Sequence, residues 1–180
     1  MATTDVYVFS HGDPGLVERY GDESKPRLLK RNVDPRLRYI ASVIGGHPYF
    51  AVVEVNQLSE VPPLLALLGL RSETATPVRQ FTPDSLRHSR YYPHSVFIRV
   101  WTEDPGAAAQ VFTRIGQMDG VVAAATVHGA IDGVVDVGGK TPAELVRRVN
   151  AVLADPGVRR GDQLRVTDSA FRERPRAARK

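Results

Sequence analysis

The 180-residue chain has no cysteine, a single tryptophan and two methionines. Without cysteine there is no disulfide, no thiolate metal site and no cysteine nucleophile, which suits a cytoplasmic protein. No apolar run approaches the roughly 18 residues of a membrane span, so no membrane partner is expected. The N-terminus lacks a basic start and an apolar core, so a secretory signal is not expected either. Lysine is scarce beside arginine, and the formal net charge of +4 is concentrated at one end. Residues 171–180 carry five basic side chains against Glu173 alone, for a net +4, so the remainder sums to zero. The expectation is a neutral fold with a basic flexible tail over 170–180, the one part suited to touching nucleic acid.

Several chemistries are missing as well. The stretch Gly138-Gly139-Lys140 lacks the spacing of a phosphate loop. The five histidines, His11, His47, His88, His94 and His128, show none of the close pairings that bind metal, so neither metal nor cofactor is expected. Ser10, His11 and Asp13 are chain neighbours, whereas a triad is assembled from distant parts of a fold. No catalytic residue is assigned. The cluster Arg87, His88, Arg90, Tyr91 and Tyr92 reads as a packed linker rather than a base-stacking platform.

What is present is a repeat. Val52, Val53, Glu54, Val55 and Ser59 fall on Val134, Val135, Asp136, Val137 and Thr141 at one constant offset. In the second half, 94–101 alternates as a strand. Asp104-Pro105 opens a helix that Asp119-Gly120 ends. Strands at 121–128 and 131–137 flank a turn at Gly129. Thr141 and Glu144 form a capping box, and a final strand lies within 158–167. The order is βαββαβ, the ferredoxin-like pattern. The first half repeats it through strands at 6–9, 37–44, 49–55 and 76–81 and a helix ending at Leu68. The polar stretch 11–35 is read as a loop insertion with one or two short helices. The expected organisation is a first unit over 1–81, a linker over 82–93 and a second unit over 94–169.

The strand faces extend this reading. Val96, Ile98 and Val100 share one face, and Phe97, Arg99 and Trp101 the other. Val6 and Val8 oppose Tyr7 and Phe9. Glu54 and Asp136 lie on the face opposite their flanking valines. A sheet with one wet side would not turn Phe9, Phe97 and Trp101 toward water. The second face is therefore expected to be covered by another sheet, from the other repeat or another chain. The fold class is α+β: two tandem ferredoxin-like units whose sheets pack as an α/β barrel within or between chains.

Residues 95–168 resemble the effector-binding domain of the Lrp/AsnC regulators. The resemblance lies in the glycine hairpin Gly129-Ala130-Ile131-Asp132 with its following apolar strand, and in Leu153-Ala154-Asp155-Pro156-Gly157-Val158 before the last strand. It implies a dimerising domain that assembles further and binds an amino acid or similar effector at the hairpin turn. Carried onto this sequence, the ligand-binding positions are His128, Gly129, Ala130 and Asp132. Glycine there permits positive φ and close backbone approach, and an aspartate suits an ammonium group. The family's helix-turn-helix has no counterpart, and in the first half Pro48, Tyr49 and Phe50 replace the aspartate region. The leading expectation is a non-catalytic ligand sensor or oligomeric scaffold. The alternatives are a barrel enzyme of oxygenase or haem-binding type, with His94 or His128 as proton carrier, and an accessory protein acting on nucleic acid through its tail.

Overall fold

The computed structural model describes residues 3–25, 27–81 and 92–172. The first half contains β1 (Thr4–Gly12), α1 (Leu16–Tyr20), β2 (Leu37–Ile44), β3 (Tyr49–Val55), α2 (Val61–Leu67) and β4 (Leu70–Phe81). The second half contains β5 (His94–Thr102), α3 (Ala108–Ile115), β6 (Val121–Val127), β7 (Gly133–Gly139), α4 (Pro142–Leu153) and β8 (Val158–Phe171). Both halves follow the βαββαβ order. No helix among the described residues is long and apolar enough to cross a membrane.

The strands form one closed barrel in the order β1-β3-β2-β8-β5-β7-β6-β4. Closure occurs within the chain, where β2 pairs with β8 and β4 pairs with β6. This settles the open choice of cover: the other repeat covers the second face. Both joining strands run longer than their patterning suggests. β4 starts at Leu70 rather than Thr76, and β8 continues beyond Thr167 to Phe171. The extra residues alternate poorly: those of β4 become strand by pairing with β1 of their own unit, and those of β8 by pairing with β2 of the other. Ala170 and Phe171 are buried, and the Arg172 guanidinium donates to the Val33 carbonyl at 2.9 Å, so these three residues belong to the fold rather than to a flexible tail. The rest of that basic stretch and most of the linker lie outside the described residues.

Three apolar clusters follow from the alternation. Tyr7, Phe9, Phe50 and Phe97 point into the barrel. Val6, Val8 and Val53 point outward under α1 and α2, while Val96, Ile98 and Val135 do so under α3 and α4. The polar insertion contributes Leu16, Val17, Leu29 and Val33 to the outer cluster of its own half. It forms the single short helix α1 and then an irregular path pinned by bridges Gly21↔Leu29 and Leu28↔Phe171. In the second half Thr141 accepts the Glu144 amide at 3.2 Å. The Glu144 carboxylate takes the Lys140 amide at 2.8 Å, one residue before the expected partner.

The ladders correct the repeat alignment. Val6 pairs with Val53, and its counterpart Val96 pairs with Val137, so Val53 matches Val137 and not Val135. The same register matches Val52 with Asp136, and Tyr39 with Ala123. It also matches Gly45 with Gly129, which share positive φ, and the cap Gln57 with the cap Thr141. Advancing four places around the barrel carries β1 to β5, β3 to β7, β2 to β6 and β8 to β4. The units are therefore related by a pseudo-twofold along the barrel axis.

Gly45 has φ 138° and would place a Cβ 2.2 Å from the Gln163 carbonyl oxygen, whereas Gly46 at φ 117° faces open space. Gly45→Ala is expected to cost about 2–4 kcal/mol and Gly46→Ala about 1 kcal/mol in urea denaturation. Equal losses would mean that the close approach of this hairpin to β8 is not tight.

Candidate functional site

An eight-stranded barrel has an interior only wide enough for side chains to fill. Here rings do most of the filling. Phe50 and Phe97 pack with centroids 4.2 Å apart, and Tyr7 meets Phe50 edge-on at 5.4 Å. Tyr39 lies 5.6 Å from Phe97 and 6.1 Å from Phe50. Phe9 and Phe50, both fully buried, each contribute roughly 1.5–3 kcal/mol by leaving water.

A chamber of about 10 Å³ remains, room for about one water. Its lining consists of four pseudo-symmetric pairs. Two are similar in bulk: Tyr7 with Phe97, and Val52 with Asp136. Two pair large with small: Tyr39 with Ala123, and Phe50 with Val134. The chamber is thus built about the barrel axis, and the first unit supplies most of its bulk.

Asp136 is the acid in this lining, with 3 % of its surface exposed. Its cross-strand neighbours on β5 and β6 are Phe97 and Ala123. Burial pushes its carboxyl well above the usual carboxylate range, because ionisation in so apolar a place forfeits hydration. The Tyr39 phenol is pushed upward by burial and by the nearby Asp136, with a hydrogen bond to Ser169 acting the other way. Burial thus favours the neutral form of both groups. Glu54, which shares the inward parity, is different: it is half-buried and meets Arg38 Nε at 2.7 Å.

Toward the hairpin end of the barrel, Phe9 and Arg99 are symmetry mates, and the Arg99 guanidinium lies 5.4 Å from the Phe9 ring. Arg99 also meets Asp162 at 3.2 Å. The His47 ring lies 6.1 Å from Phe9 and 5.9 Å from His11. Phe9 packs on Phe50 at 5.3 Å and so stands between this cluster and the chamber. Among the described residues, no group of three or more histidines or acids could hold a metal ion.

The residues expected to bind ligand lie elsewhere. His128, Gly129 and Ala130 form an exposed turn. Gly129 has φ 152° and would bring a Cβ to 3.0 Å from Thr76, so it meets the expectation of positive φ. The Asp132 carboxylate accepts from the Thr102 amide at 2.7 Å and the Thr102 hydroxyl at 2.9 Å. The Ala130 carbonyl accepts from the Trp101 indole at 2.7 Å. The turn is fastened to the end of β5. Neither His94 nor His128 lines the chamber. Asp136 was not picked out from the sequence, although the signal was there: an acid on a strand face that the aromatic pattern requires to be covered.

No family model and no curated protein matches the chain. Solved structures do. The siroheme decarboxylase NirDL aligns at TM-score 0.64 with 9 % identity, over 99 % of this chain and 75 % of that one. Its co-complex with an iron-uroporphyrin III analogue aligns at 0.61 with 10 % identity, over 95 % and 73 %. A putative monooxygenase from Fusobacterium nucleatum aligns at 0.49 with 8 % identity, over 94 % of each chain. At these identities the likeness is one of fold: an α+β barrel of ferredoxin-like units.

The state of Asp136 sets a pH dependence. In the unfolded chain the carboxyl ionises near the ordinary aspartate value of about 3.9. Its folded-state pKa is raised. Stability is thus unaffected below the unfolded value and falls as pH rises toward the folded one, by up to about 1.4 kcal/mol per pH unit. Asp136→Asn should lack this loss, so the stability difference between variant and wild type should widen as pH rises above about 4. A difference that stays flat in urea titrations would mean that the buried carboxyl is ionised.

Removing Asp132 should act locally. Asp132→Ala strips the partner from two Thr102 donors and is expected to cost about 1–3 kcal/mol in thermal or urea denaturation, with no such pH trend.

Proposed function

We propose that the chain is a small-molecule-binding barrel whose site is the axial chamber, with protonated Asp136 as hydrogen-bond or proton donor to a neutral ligand. One observation carries this reading: Asp136 stands where the other copy of the repeat has Val52. The fold supplies its own control, since valine fills that position without difficulty. A carboxyl in an apolar wall costs stability, and acids kept neutral in this way cluster at functional sites. A protonated aspartic acid in a dry pocket can donate to a carbonyl or imine and transfer a proton as charge develops there.

The lining also limits the ligand. It contains no lysine, arginine or histidine, so an anionic group would find no countercharge in the chamber. A tetrapyrrole, the kind of molecule on which the structurally similar siroheme decarboxylase acts, is far larger than this space, and no histidine lines it. The residues present do not fit a macrocycle, and no step is assigned through one. The reading favours the barrel-enzyme alternative over a sensor of Lrp/AsnC type. An effector ammonium at the hairpin would compete with Thr102 for Asp132, and that resemblance rests on the hairpin and the turn before β8.

Thermal-shift measurements with acetophenone, benzamide and benzoate test the proposal. The neutral compounds are expected to raise the melting temperature of the wild type and benzoate is not. Asp136→Val should fold, since it installs the symmetry mate, and should lose the response. Full retention of the response in Asp136→Val, or a wild type indifferent to every neutral compound, would overturn the reading.

A further inference from the structure

We infer that Tyr39 and Phe50 are the residues that set the size of ligand the chamber admits, and that they do so by filling the half of the axial space left by Ala123 and Val134. The inference rests on the chamber being the binding site and adds what that site accepts. As built, the chamber holds about one water, with a volume of about 10 Å³. Anything larger enters only as rings move aside. Two of the four lining pairs show which rings these are. Tyr7 and Phe97 are matched in bulk, and neither has a small mate to exploit.

Tyr39 and Phe50 differ. Their mates on the second unit are small, and the register fixes that correspondence independently of the chamber: Tyr39 pairs with Val52 as Ala123 pairs with Asp136. Phe50 pairs with Phe9 as Val134 pairs with Arg99. The Phe50 ring reaches Phe97 of the other unit at 4.2 Å and Tyr39 reaches it at 5.6 Å. Both side chains therefore extend from the first unit across the axis. Replacing either by its mate gives a residue this barrel already carries at the equivalent position. The space so opened borders Asp136. The ligand class is a flat, uncharged molecule with one acceptor group. Tyr39 and Phe50 keep the wild-type chamber near the volume of one water, so that single-ring members enter only as these rings move, and their truncation admits fused rings.

Calorimetric titration with acetophenone and 2-acetonaphthone distinguishes the outcomes. Tyr39→Ala and Phe50→Val, each checked for native circular dichroism, should gain at least about tenfold in affinity for 2-acetonaphthone over wild type. Adding Asp136→Val should remove most of that gain, and naphthalene, which has no acceptor, should show no dependence on Asp136. Phe112→Ala is the control: it empties a comparable volume in the outer cluster under α3, on the other side of the sheet, and should give no gain. Two variants guard against one failing to fold, and Phe50→Leu is the milder substitute. An equal gain in Phe112→Ala, or none in the variants at Tyr39 and Phe50, overturns the inference. If acetophenone binds the wild type through Asp136 while those variants admit nothing larger, the chamber reading survives and the size filter falls. If they admit 2-acetonaphthone irrespective of Asp136, the filter survives and the donor role falls.

Discussion

Closure of the sheet on itself within one chain is the constraint on which the rest of the structure depends. It is achieved by two strands that each serve both units: β4 pairs with β1 and β6, and β8 with β5 and β2. Once these joins form, the aromatic face of each unit has no route to water. The helices then need to cover only the outer face, and short helices suffice, since α1 and α2 are each shorter than α4. The same closure abolishes free strand edges, a common route by which sheets recruit a second chain.

A twofold along the axis makes a symmetric interior hard to pack. Two identical large rings from equivalent positions would both aim at the axis and compete for one volume, while two small ones would leave a void that costs stability. Pairing large with small, as in Tyr39 with Ala123 and Phe50 with Val134, resolves the conflict. That argument accounts for the shape of the interior without reference to function. It does not account for Asp136, whose mate Val52 is close to it in size and carries no charge. Packing explains why the first unit is bulky and leaves the acid of the second unit unexplained.

Much of the fold was legible in the sequence because its signals are local. The bounds of β2 and β3 follow from alternation, and the caps at Asp104 and Thr141 from short-range hydrogen bonding. The aromatic second face required a cover, which the closed barrel provides. The joins were less visible, because residues such as Asp168, Ser169 and Ala170 become strand only through pairing with the other unit. The repeat alignment slipped for a related reason. Val52-Val53-Glu54-Val55 and Val134-Val135-Asp136-Val137 look alike, and a slip of even length keeps every side chain on its proper face. Alternation could not expose the error; hydrogen-bonded register did.

That slip had a consequence for the site. With Glu54 as its partner, Asp136 looks like half of a matched pair of strand acids, an ordinary feature of a solvated face. In the true register its partner is a valine, and the acid becomes an exception that the repeat itself identifies. Asp132, four residues earlier in the same hairpin, reads as the functional acid by motif, yet its carboxylate is engaged by the Thr102 amide and hydroxyl at the rim. The two acids differ in what surrounds them rather than in type. One meets donors from the end of a strand and serves the turn; the other lines the axial chamber, where burial raises its pKa. In a barrel built from a duplicated unit, the position where one copy departs from the other without a packing reason is where chemistry is most economically sought.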